Sequence, residues 1–349
     1  MAKHELGDME CIRAALEAWL RIQLPNAREL ALGELSFPEE SGESSVSLIL
    51  NTENQGRSQG YICRMKPRDS QVFDEHDLPM QYHLMSIAAK EGIPVPPLCG
   101  FEADESLVGS DFYVMGFVEG QVPTDNPPYA FGGWVTELTD LERDEMWRNG
   151  LQVLSQIHRI DLGKYDFSQL PSSPENSSLV LHELQKLEVL TTPDVQKHLH
   201  DTVKEAVLYL NQHPPMSGEK RLCWGDSRPG NVIWKDLRPN AVIDWEMACL
   251  GDPIQDVSWW YWVDYVNSVG LGVDRLGGLP SLQEIYAQWH ELTGLSLTHS
   301  DYYDLFSVVR YAIILEKKFS SMEKAGMGRI DNFVVPFVER QLSVCRSHL

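Results

Sequence analysis

The spacing of apolar side chains divides the chain into a strand-rich beginning and a helix-rich remainder. Apolar side chains at helical spacing predict a helix over residues 8–23. Alternating apolar and polar positions then predict strands over 34–37, 44–50 and 61–66. The polar stretch 51–56 separates the last two of these strands and is predicted to be a hairpin turn.

A second set of strands precedes the long helical segments. The pattern predicts a helix over 77–91 and a strand pair over 98–118. After Gly120 the helical pattern prevails, with predicted helices over 141–160, 179–190, 195–212, 282–293, 301–321 and 333–348. Strands first and helices later indicate an α+β fold with two lobes, one of residues 1–118 and one of residues 119–349.

One segment of the helical region places carboxylate and amide side chains around short apolar runs. Asp226 lies five residues before Asn231, and Asp244 follows an apolar run. Pro229 and Gly230 allow the short loop before Asn231 to turn. Residues 231–234 are then predicted to be a strand of a β-hairpin that ends before Asp244. Phosphoryl transfer from a metal–nucleotide needs a group that orients the incoming hydroxyl, together with oxygen ligands for magnesium. The spacing therefore predicts that Asp226 orients the hydroxyl and that Asn231 and Asp244 ligate Mg²⁺.

This segment resembles the signature of the aminoglycoside phosphotransferase and choline kinase-like family, which usually runs His-Gly-Asp…Asn…Ile-Asp-Trp-Glu…Gly-Asp-Pro. The matching residues are Trp224-Gly-Asp226, Asn231, Ile243-Asp244-Trp245-Glu246 and Gly251-Asp252-Pro253. The resemblance extends roughly from Glu34 to the C-terminal helices and is strongest between Leu222 and Asp256.

The resemblance implies a two-lobed protein-kinase-like fold. Its β-rich N-terminal lobe, residues 1–118, is expected to bind the nucleotide, and its mainly helical C-terminal lobe, residues 119–349, to hold the catalytic and substrate-binding groups. The implied activity is that of a small-molecule kinase. With Mg²⁺ it would transfer the γ-phosphoryl group of ATP or GTP to an alcohol group.

Further roles follow from the same resemblance. Arg228 falls where protein kinases carry a basic residue against the γ-phosphate, and a guanidinium suits phosphate oxygens; the alternative is an exposed arginine at a loop tip. Glu246 is a candidate for a second metal or a metal-bound water, and equally for a solvated or salt-bridged acid. Asp256 is expected to anchor the catalytic loop by accepting backbone hydrogen bonds, and His158 to be a packed structural histidine.

Arg64 occupies the strand position where the family usually places a Lys or Arg on the nucleotide phosphates. Lys66 shares its strand face and is a rival. The usual helical partner of this basic residue is a Glu, yet Gln81 stands at the matching position. An arginine keeps its charge without an ion pair, so a neutral glutamine is still able to fix its geometry by a hydrogen bond.

The remaining nucleotide contacts are expected to come from the backbone. Ser44 and Ser45 lie where a phosphate-covering loop belongs, and their amides are expected to face the phosphates. This loop contains one glycine, Gly42, whereas the glycine-rich loop of protein kinases contains three. The stretch ending at Val118 matches the family's hinge, whose backbone at Gly116 and Val118 is expected to bond adenine.

Two alternatives remain open at this point. The first is a pseudokinase that binds nucleotide without transfer, because Gln81 and Trp224 both depart from the family pattern. The second is a hydrolase with two carboxylates, such as a glycosidase, which explains Asp226 and Asp244 but leaves Asn231 without a role.

Composition narrows the partners. Fifty-one acidic residues against 29 Lys plus Arg give a net charge of −22, which repels phosphate backbones and makes nucleic acid an unexpected partner. The same charge would attract a cationic acceptor, although an ordinary acidic protein carries it as well. The aromatic run 259–262 is expected mainly in the core, with one or two rings left to stack on a small-molecule acceptor. The sequence gives no oligomeric state.

The lack of an apolar signal core and the spacing of the cysteines predict a cytoplasmic protein. No apolar run approaches the roughly 18 residues of a membrane span, so no membrane partner is expected, and the first residues carry acids in place of an apolar signal core. The six cysteines form no close Cys-x-x-Cys pair. Reduced thiols are therefore expected, with neither a disulfide framework nor a zinc site.

Overall fold

The computed structural model describes residues 8–38, 46–66 and 77–348. Contacts divide the chain into two compact units. The first consists of Met1–Glu119 and Ala241–Glu246, and the second of Gly120–Asn240 and Met247–Leu349. The short segment that carries Asp244 therefore clusters with the strand-rich unit, which its place in chain order does not indicate.

An antiparallel sheet forms the first unit, with strand order β1-β2-β3-β5-β4. The strands are β1 (Ala31–Leu32), β2 (Val46–Asn54), β3 (Arg57–Met65), β4 (Leu98–Glu102) and β5 (Phe112–Gly116). The register of β3 on β5 sets Arg64 directly opposite Tyr113. Because side chains on opposed residues share a face of the sheet, these two side chains are neighbours.

Two helices complete the first unit. Helix α1 (Met9–Gln23) buries Ile12, Leu16, Trp19 and Leu20 with the sheet residues that alternate with Arg64, and the Trp19 ring lies 5.1 Å from that of Phe112. Helix α2 (Leu78–Lys90) begins at the N-cap Asp77, whose carboxylate accepts the amide hydrogen of Met80. Alternation along the strands therefore leaves Arg64 and Tyr113 on the opposite face from the α1 core.

Helices dominate the second unit. They are α3 (Trp134–Glu137), α4 (Asp140–His158), α5 (Leu181–Leu190), α6 (Pro193–His198), α7 (Asp201–Gln212), α8 (Ile254–Ser268), α9 (Leu282–Thr293), α10 (Ser300–Lys324) and α11 (Val335–Ser347). Helix α8 is buried on nearly every side and packs against α10. A helix buried all round belongs in a core, and the buried carboxylates of α8, Asp256 and Asp264, accept hydrogen bonds there.

Short strands of the second unit frame the segment that the sequence singled out. Strand β6 (Arg221–Cys223) pairs with β9 (Cys249–Gly251), and β7 (Val232–Lys235) forms a hairpin with β8 (Arg238–Val242). The hairpin turn uses Asp236 and Leu237, both with positive φ. Two successive residues with positive φ are typical of the type I′ turn that suits the twist of β-hairpins. The predicted hairpin is therefore confirmed.

Several element predictions are wrong in detail. Residues 34–37 form no strand, since only Ser36 makes an isolated bridge, to Ile49. Strand β2 runs on to Asn54, so the turn is only Gln55-Gly56, with φ of 52° and 73°. Polar residues on an exposed strand end carry the same pattern as a turn, which explains the second error.

Two helical predictions also needed correction. The predicted helix 195–212 is two helices, α6 and α7, because the backbone at Leu199 and His200 is extended. The sequence pattern predicts no helix at α8, because polar residues such as Asp256 and Asp264 are buried together with the apolar ones and no exposed polar face recurs at helical spacing. Within the described residues, no helix combines the length and apolar character needed to cross a membrane.

Candidate active site

The carboxylate of Asp226 is the centre of a hydrogen-bond network in the second unit. Its Oδ2 accepts from Arg228 Nε at 3.0 Å and from Asn231 Nδ2 at 2.7 Å. Its Oδ1 accepts from the indole nitrogen of Trp259 at 2.7 Å. The Asn231 amide also donates to the backbone oxygen of Asp226 at 3.0 Å. The carboxylate is thus held by two side chains of its own loop and one of α8, and among the described residues no donor bonds the Asn231 amide oxygen.

Charge decides the protonation state of Asp226. Burial alone would raise the pKa of this carboxyl group, but the Arg228 charge and the hydrogen bonds from Trp259 and Arg228 outweigh burial, so the pKa lies below its ordinary value. Asp226 is therefore ionised at neutral pH and able to accept a hydrogen bond from an alcohol.

Arg228 joins Asp226 to a second acid. Its Nη1 donates to Asp125 Oδ2 at 2.5 Å, while its Nε donates to Asp226. Burial opposes the charge of this guanidinium, yet Asp226 and Asp125 raise its pKa further above its ordinary range. Gly230 lies against this pair, because a Cβ at that position would meet Arg228 Nη1 at 2.7 Å. Arg228 is thus a partly buried link between two carboxylates and not a loop-tip arginine.

Asp256 anchors the loop from α8, as the sequence predicted. Its Oδ2 accepts the amide hydrogen of Trp224 at 2.6 Å and its Oδ1 that of Gly225 at 2.9 Å. Gly225 has a φ of 91°, and a Cβ there would lie 2.0 Å from the backbone oxygen of Met247. A larger residue at this position is therefore excluded both by the backbone angle and by space.

His158 supports the same anchor and is fully buried, which confirms its structural role. Its Nδ1 accepts from the indole nitrogen of Trp289 at 2.9 Å, and its Nε2 lies 3.0 Å from Asp256 Oδ2. An indole nitrogen only donates, so Nδ1 carries no proton and Nε2 donates to Asp256. The buried Trp224 side chain fills the position of the family's usual histidine, while its backbone contributes to the anchor.

The sequence analysis does not predict two contacts of the candidate site. It expects the aromatic run 259–262 mainly in the core, with one or two rings left to stack on an acceptor, and no motif points to Arg310. The Arg310 guanidinium lies 4.5 Å from the centre of the Trp259 ring and donates to the backbone oxygen of Gly225 at 3.0 Å. Spacing along α8 did offer a signal for Trp259, since it lies one helical turn from Asp256 and shares its face.

The first unit contains a separate polar cluster around Arg64. Tyr113, opposite Arg64 in the sheet, places its hydroxyl 3.5 Å from Gln81 Oε1. Burial raises the pKa of Tyr113 to about 12, so its hydroxyl remains protonated at neutral pH. Gln81 therefore lies near Arg64, as predicted. Tyr113 is a further neighbour of Arg64 that follows from the pairing of β3 with β5 and not from the order of residues in the chain.

The electrostatics of Arg64 link it to Asp244 and Glu246. Burial alone would lower the pKa of the guanidinium, but Tyr113, Asp244 and Glu246 raise it above its ordinary value. Arg64 Nε and Nη2 are nevertheless buried, and neither has a hydrogen-bond partner among the described residues. Buried donors of a charged group are costly to leave unmatched. This part of the cluster therefore fits an anionic ligand such as a phosphate group.

The proposed metal ligands offer oxygen atoms of the type that magnesium prefers. Asn231 supplies an amide oxygen, and Asp244 and Glu246 supply carboxylates. Asp244 has a φ of 61°, in the left-handed region that few residues other than glycine adopt. Such backbone strain is most frequent at functional sites. In the described part of the chain, no group of three or more His, Cys, Asp or Glu side chains could hold a metal ion.

Of the residues predicted to contact adenine and the phosphates through their backbone, Gly116 and Val118 lie in the described part of the chain. The amide of Gly116 donates to the Pro97 oxygen at 2.7 Å, so an adenine contact at this residue would use its carbonyl oxygen. Val118 follows the end of β5. Ser44 and Ser45 lie outside the described residues.

Fold and site together define the class of protein. A kinase-like loop, with an ionised Asp226 fixed beside Asn231 and anchored by Asp256, follows a β-rich unit with a basic residue on its third strand. These features are typical of small-molecule phosphotransferases.

Comparison with known proteins gives the family. Residues 40–291 match the model of the Phosphotransferase enzyme family, and the chain belongs to this family. A crystal structure of a putative aminoglycoside phosphotransferase from Ralstonia eutropha is 22% identical, with a TM-score of 0.70 over 96% of this chain and 98% of that one. An aminoglycoside phosphotransferase in complex with GDP and kanamycin is 14% identical, with a TM-score of 0.58 over 96% and 99%. The expected fold, family and enzyme class are thereby confirmed.

Curated relatives are longer proteins. Acyl-CoA dehydrogenase family member 11 of Gallus gallus is 26% identical over 82% of this chain but only 36% of its own length. The chain thus spans less than half the length of the curated relatives it matches.

Proposed function

We propose that this protein transfers the γ-phosphoryl group of ATP or GTP to a hydroxyl group of a small molecule in a magnesium-dependent reaction. The observation that carries the proposal is the geometry of Asp226. Its carboxylate is ionised, oriented by three side chains and placed on a loop anchored by Asp256. Transfer through a loose transition state depends mainly on positioning and charge neutralisation.

Asp226 would accept the hydrogen bond of the acceptor hydroxyl and take its proton. Arg228 would keep that carboxylate ionised, and it is the candidate to neutralise charge on the transferred group. Arg64 would hold nucleotide phosphates with its unmatched Nε and Nη2 donors, assisted by Gln81 through Tyr113. Gly116 and Val118 would bond the base, and Ser44 and Ser45 remain candidates for phosphate contacts.

Asn231, Asp244 and Glu246 would hold Mg²⁺. A bound magnesium–nucleotide supplies the phosphoryl group and neutralises its charge. The kinase-like neighbour solved with GDP supports nucleotide use. No contact among the described residues discriminates ATP from GTP, so the experiment uses both nucleotides.

The acceptor is proposed to be a small alcohol. The structural neighbour bound to kanamycin favours an amino-sugar, and the net charge of −22 suits such a cation. The curated relatives are named for the acyl-CoA dehydrogenase family, which adds hydroxy-acyl compounds to the candidates. One fold serves many acceptors in such families, so the acceptor is a matter for experiment.

The competing proposal is a pseudokinase. Gln81 replaces the usual glutamate, and Trp224 replaces the usual histidine. The replacement of the histidine by Trp224 is the weaker argument for a pseudokinase, because Trp224 supports the loop through its backbone amide.

A cytoplasmic location stays a prediction.

Nucleotide turnover with an acceptor panel tests the proposal. Wild-type protein is incubated with ATP or GTP, with and without magnesium, against amino-alcohols, sugars, aminoglycosides and hydroxy-acyl compounds. We expect acceptor-dependent and magnesium-dependent turnover that Asp226→Asn abolishes. Equal background turnover in both proteins, with nucleotide binding intact, would favour the pseudokinase. Turnover that persists without magnesium or nucleotide would favour a hydrolase.

A further inference from the structure

The two oxygens of Asp226 are occupied to different degrees. Oδ2 accepts from Arg228 and Asn231, which uses both of its lone pairs, whereas among the described residues Oδ1 accepts from Trp259 alone. The hydrogen-bond site left for an acceptor hydroxyl would therefore be on Oδ1, beside the Trp259 indole. The Trp259 bond is the one that fixes where the second lone pair of Oδ1 points.

The Trp259 ring is itself held in place. Arg310 covers one side of it at 4.5 Å, and the Tyr311 ring lies 5.7 Å away. Arg310 is buried and also donates to Gly225 O at 3.0 Å and to Met247 Sδ at 3.2 Å. The ring, the loop and the carboxylate thus share one set of contacts, and the indole has little freedom to follow a misplaced carboxylate.

Helix α8 supplies its own comparison for this bond. The three tryptophans of α8 differ in the hydrogen bonding of the indole nitrogen. Trp259 donates to Asp226, Trp262 donates to Asp304 at 2.9 Å, and Trp260 Nε1 is buried with no hydrogen-bond partner among the described residues. The Trp259 bond is therefore not a general consequence of a tryptophan on this helix.

We propose that Trp259 is a positioning residue for phosphoryl transfer, whose indole N–H orients the Asp226 carboxylate so that Oδ1 receives the acceptor hydroxyl. This inference rests on the proposed transfer function. It assigns a role to a residue that neither the motif nor the family comparison singles out.

Trp259→Phe removes the N–H and keeps a ring for Arg310 to cover. We expect kcat to fall about ten- to hundredfold, the scale of one hydrogen bond to a charged group, with little change in the nucleotide KM. Because the lost bond favours the carboxylate form of Asp226, the acidic limb of the kcat profile should move to higher pH. Trp260→Phe, the same change one residue on, should keep the wild-type kcat and acidic limb.

A measurement without turnover separates this inference from the proposed function. In ¹⁵N-labelled protein, the indole resonance of Trp259 is assigned by its loss in Trp259→Phe. We expect this resonance to shift upfield in Asp226→Asn, because an amide is a weaker acceptor than a carboxylate, while the Trp260 resonance stays in place.

The outcomes are distinct. Normal kcat and an unmoved acidic limb in Trp259→Phe would overturn the positioning role, as would an indole resonance that ignores Asp226→Asn. Loss of activity to the same extent in Trp260→Phe would show that ring packing, not the N–H bond, matters. A wild-type protein inactive with every acceptor would refute the transfer function and with it the catalytic meaning of the bond, while the resonance still reports whether the bond exists.

Discussion

Asp226, which is partly buried, and Asp304, which is buried, are two carboxylates of the second unit that differ in the charge around them. Each accepts three side-chain hydrogen bonds, and each receives one from a tryptophan of α8. Asp304 takes its three from Ser258, Trp262 and Tyr286, all on Oδ1. Burial raises the pKa of Asp304 to about 6, whereas the Arg228 charge holds the pKa of Asp226 below its ordinary value despite burial.

The comparison shows that hydrogen-bond count does not by itself set the protonation state of a buried acid. Neutral donors partly offset the loss of hydration, and a guanidinium more than offsets it. In this protein, Asp226 therefore keeps its charge beside an arginine, whereas the pKa of Asp304, which has neutral donors alone, is raised. Four experiments probe this difference or extend it to the first unit.

The largest effect is expected for Asp226→Asn. Loss of the charge and basicity should reduce turnover by about 10²–10⁴-fold while nucleotide affinity stays nearly constant, because the proposed partner of Asp226 is the acceptor hydroxyl and not the nucleotide. Steady-state kinetics and calorimetry measure the two quantities. Asp304→Asn is the matched control and should retain turnover. A comparable loss in both variants would mean that the effect comes from disturbed packing.

Arg228→Gln makes the surroundings of Asp226 resemble those of Asp304, with neutral donors alone. The pKa of Asp226 should then rise, so the acidic limb of the turnover profile moves to higher pH and kcat falls about ten- to hundredfold. Arg228→Lys keeps the charge and should leave the limb nearer its wild-type position. The explanation by charge fails if the limb is the same in all three proteins.

Arg64→Lys extends the test to a guanidinium whose donors await a ligand. An ammonium replaces a planar fork poorly, so nucleotide affinity should fall about tenfold in calorimetry. Adding Gln81→Glu should recover part of the loss by supplying an ion-pair partner. Lys66→Gln is the control for the rival lysine. If it weakens binding and Arg64→Lys does not, Lys66 holds the phosphates.

The smallest effect concerns stability. Because the pKa of Asp304 is raised on folding, the folded state binds more protons than the unfolded state between about pH 4 and 6, and stability falls as pH rises through this range. Wild type should therefore lose about 1 kcal/mol more than Asp304→Asn between pH 5 and 7. Urea unfolding of both proteins at the two pH values measures this difference. Parallel changes would show that Asp304 titrates normally.

Local sequence determined much of the catalytic loop. Asp226, Asn231 and the glycine between Trp224 and Asp226 are close in the chain, so short-range geometry forces them together whatever surrounds them. The same holds for the β7–β8 hairpin, whose turn chemistry and apolar flanks are local. Helices with one apolar face, such as α1, α2 and α9, were also predictable, because burial of one face imposes a period of 3.6 residues.

Tertiary structure decided which distant groups complete the site. Trp259, Arg310 and Asp125 reach the loop from other elements, and Tyr113 meets Arg64 only because β3 pairs with β5. The sequence pattern did not predict helix α8 for a related reason. A helix buried on nearly every side has no exposed polar face, so its helical period does not show in the sequence. The sequence thus determined the residues of the candidate site, whose spacing is local. Folding alone decided their charge state and orientation, because burial and long-range partners act through space and leave no period in the chain.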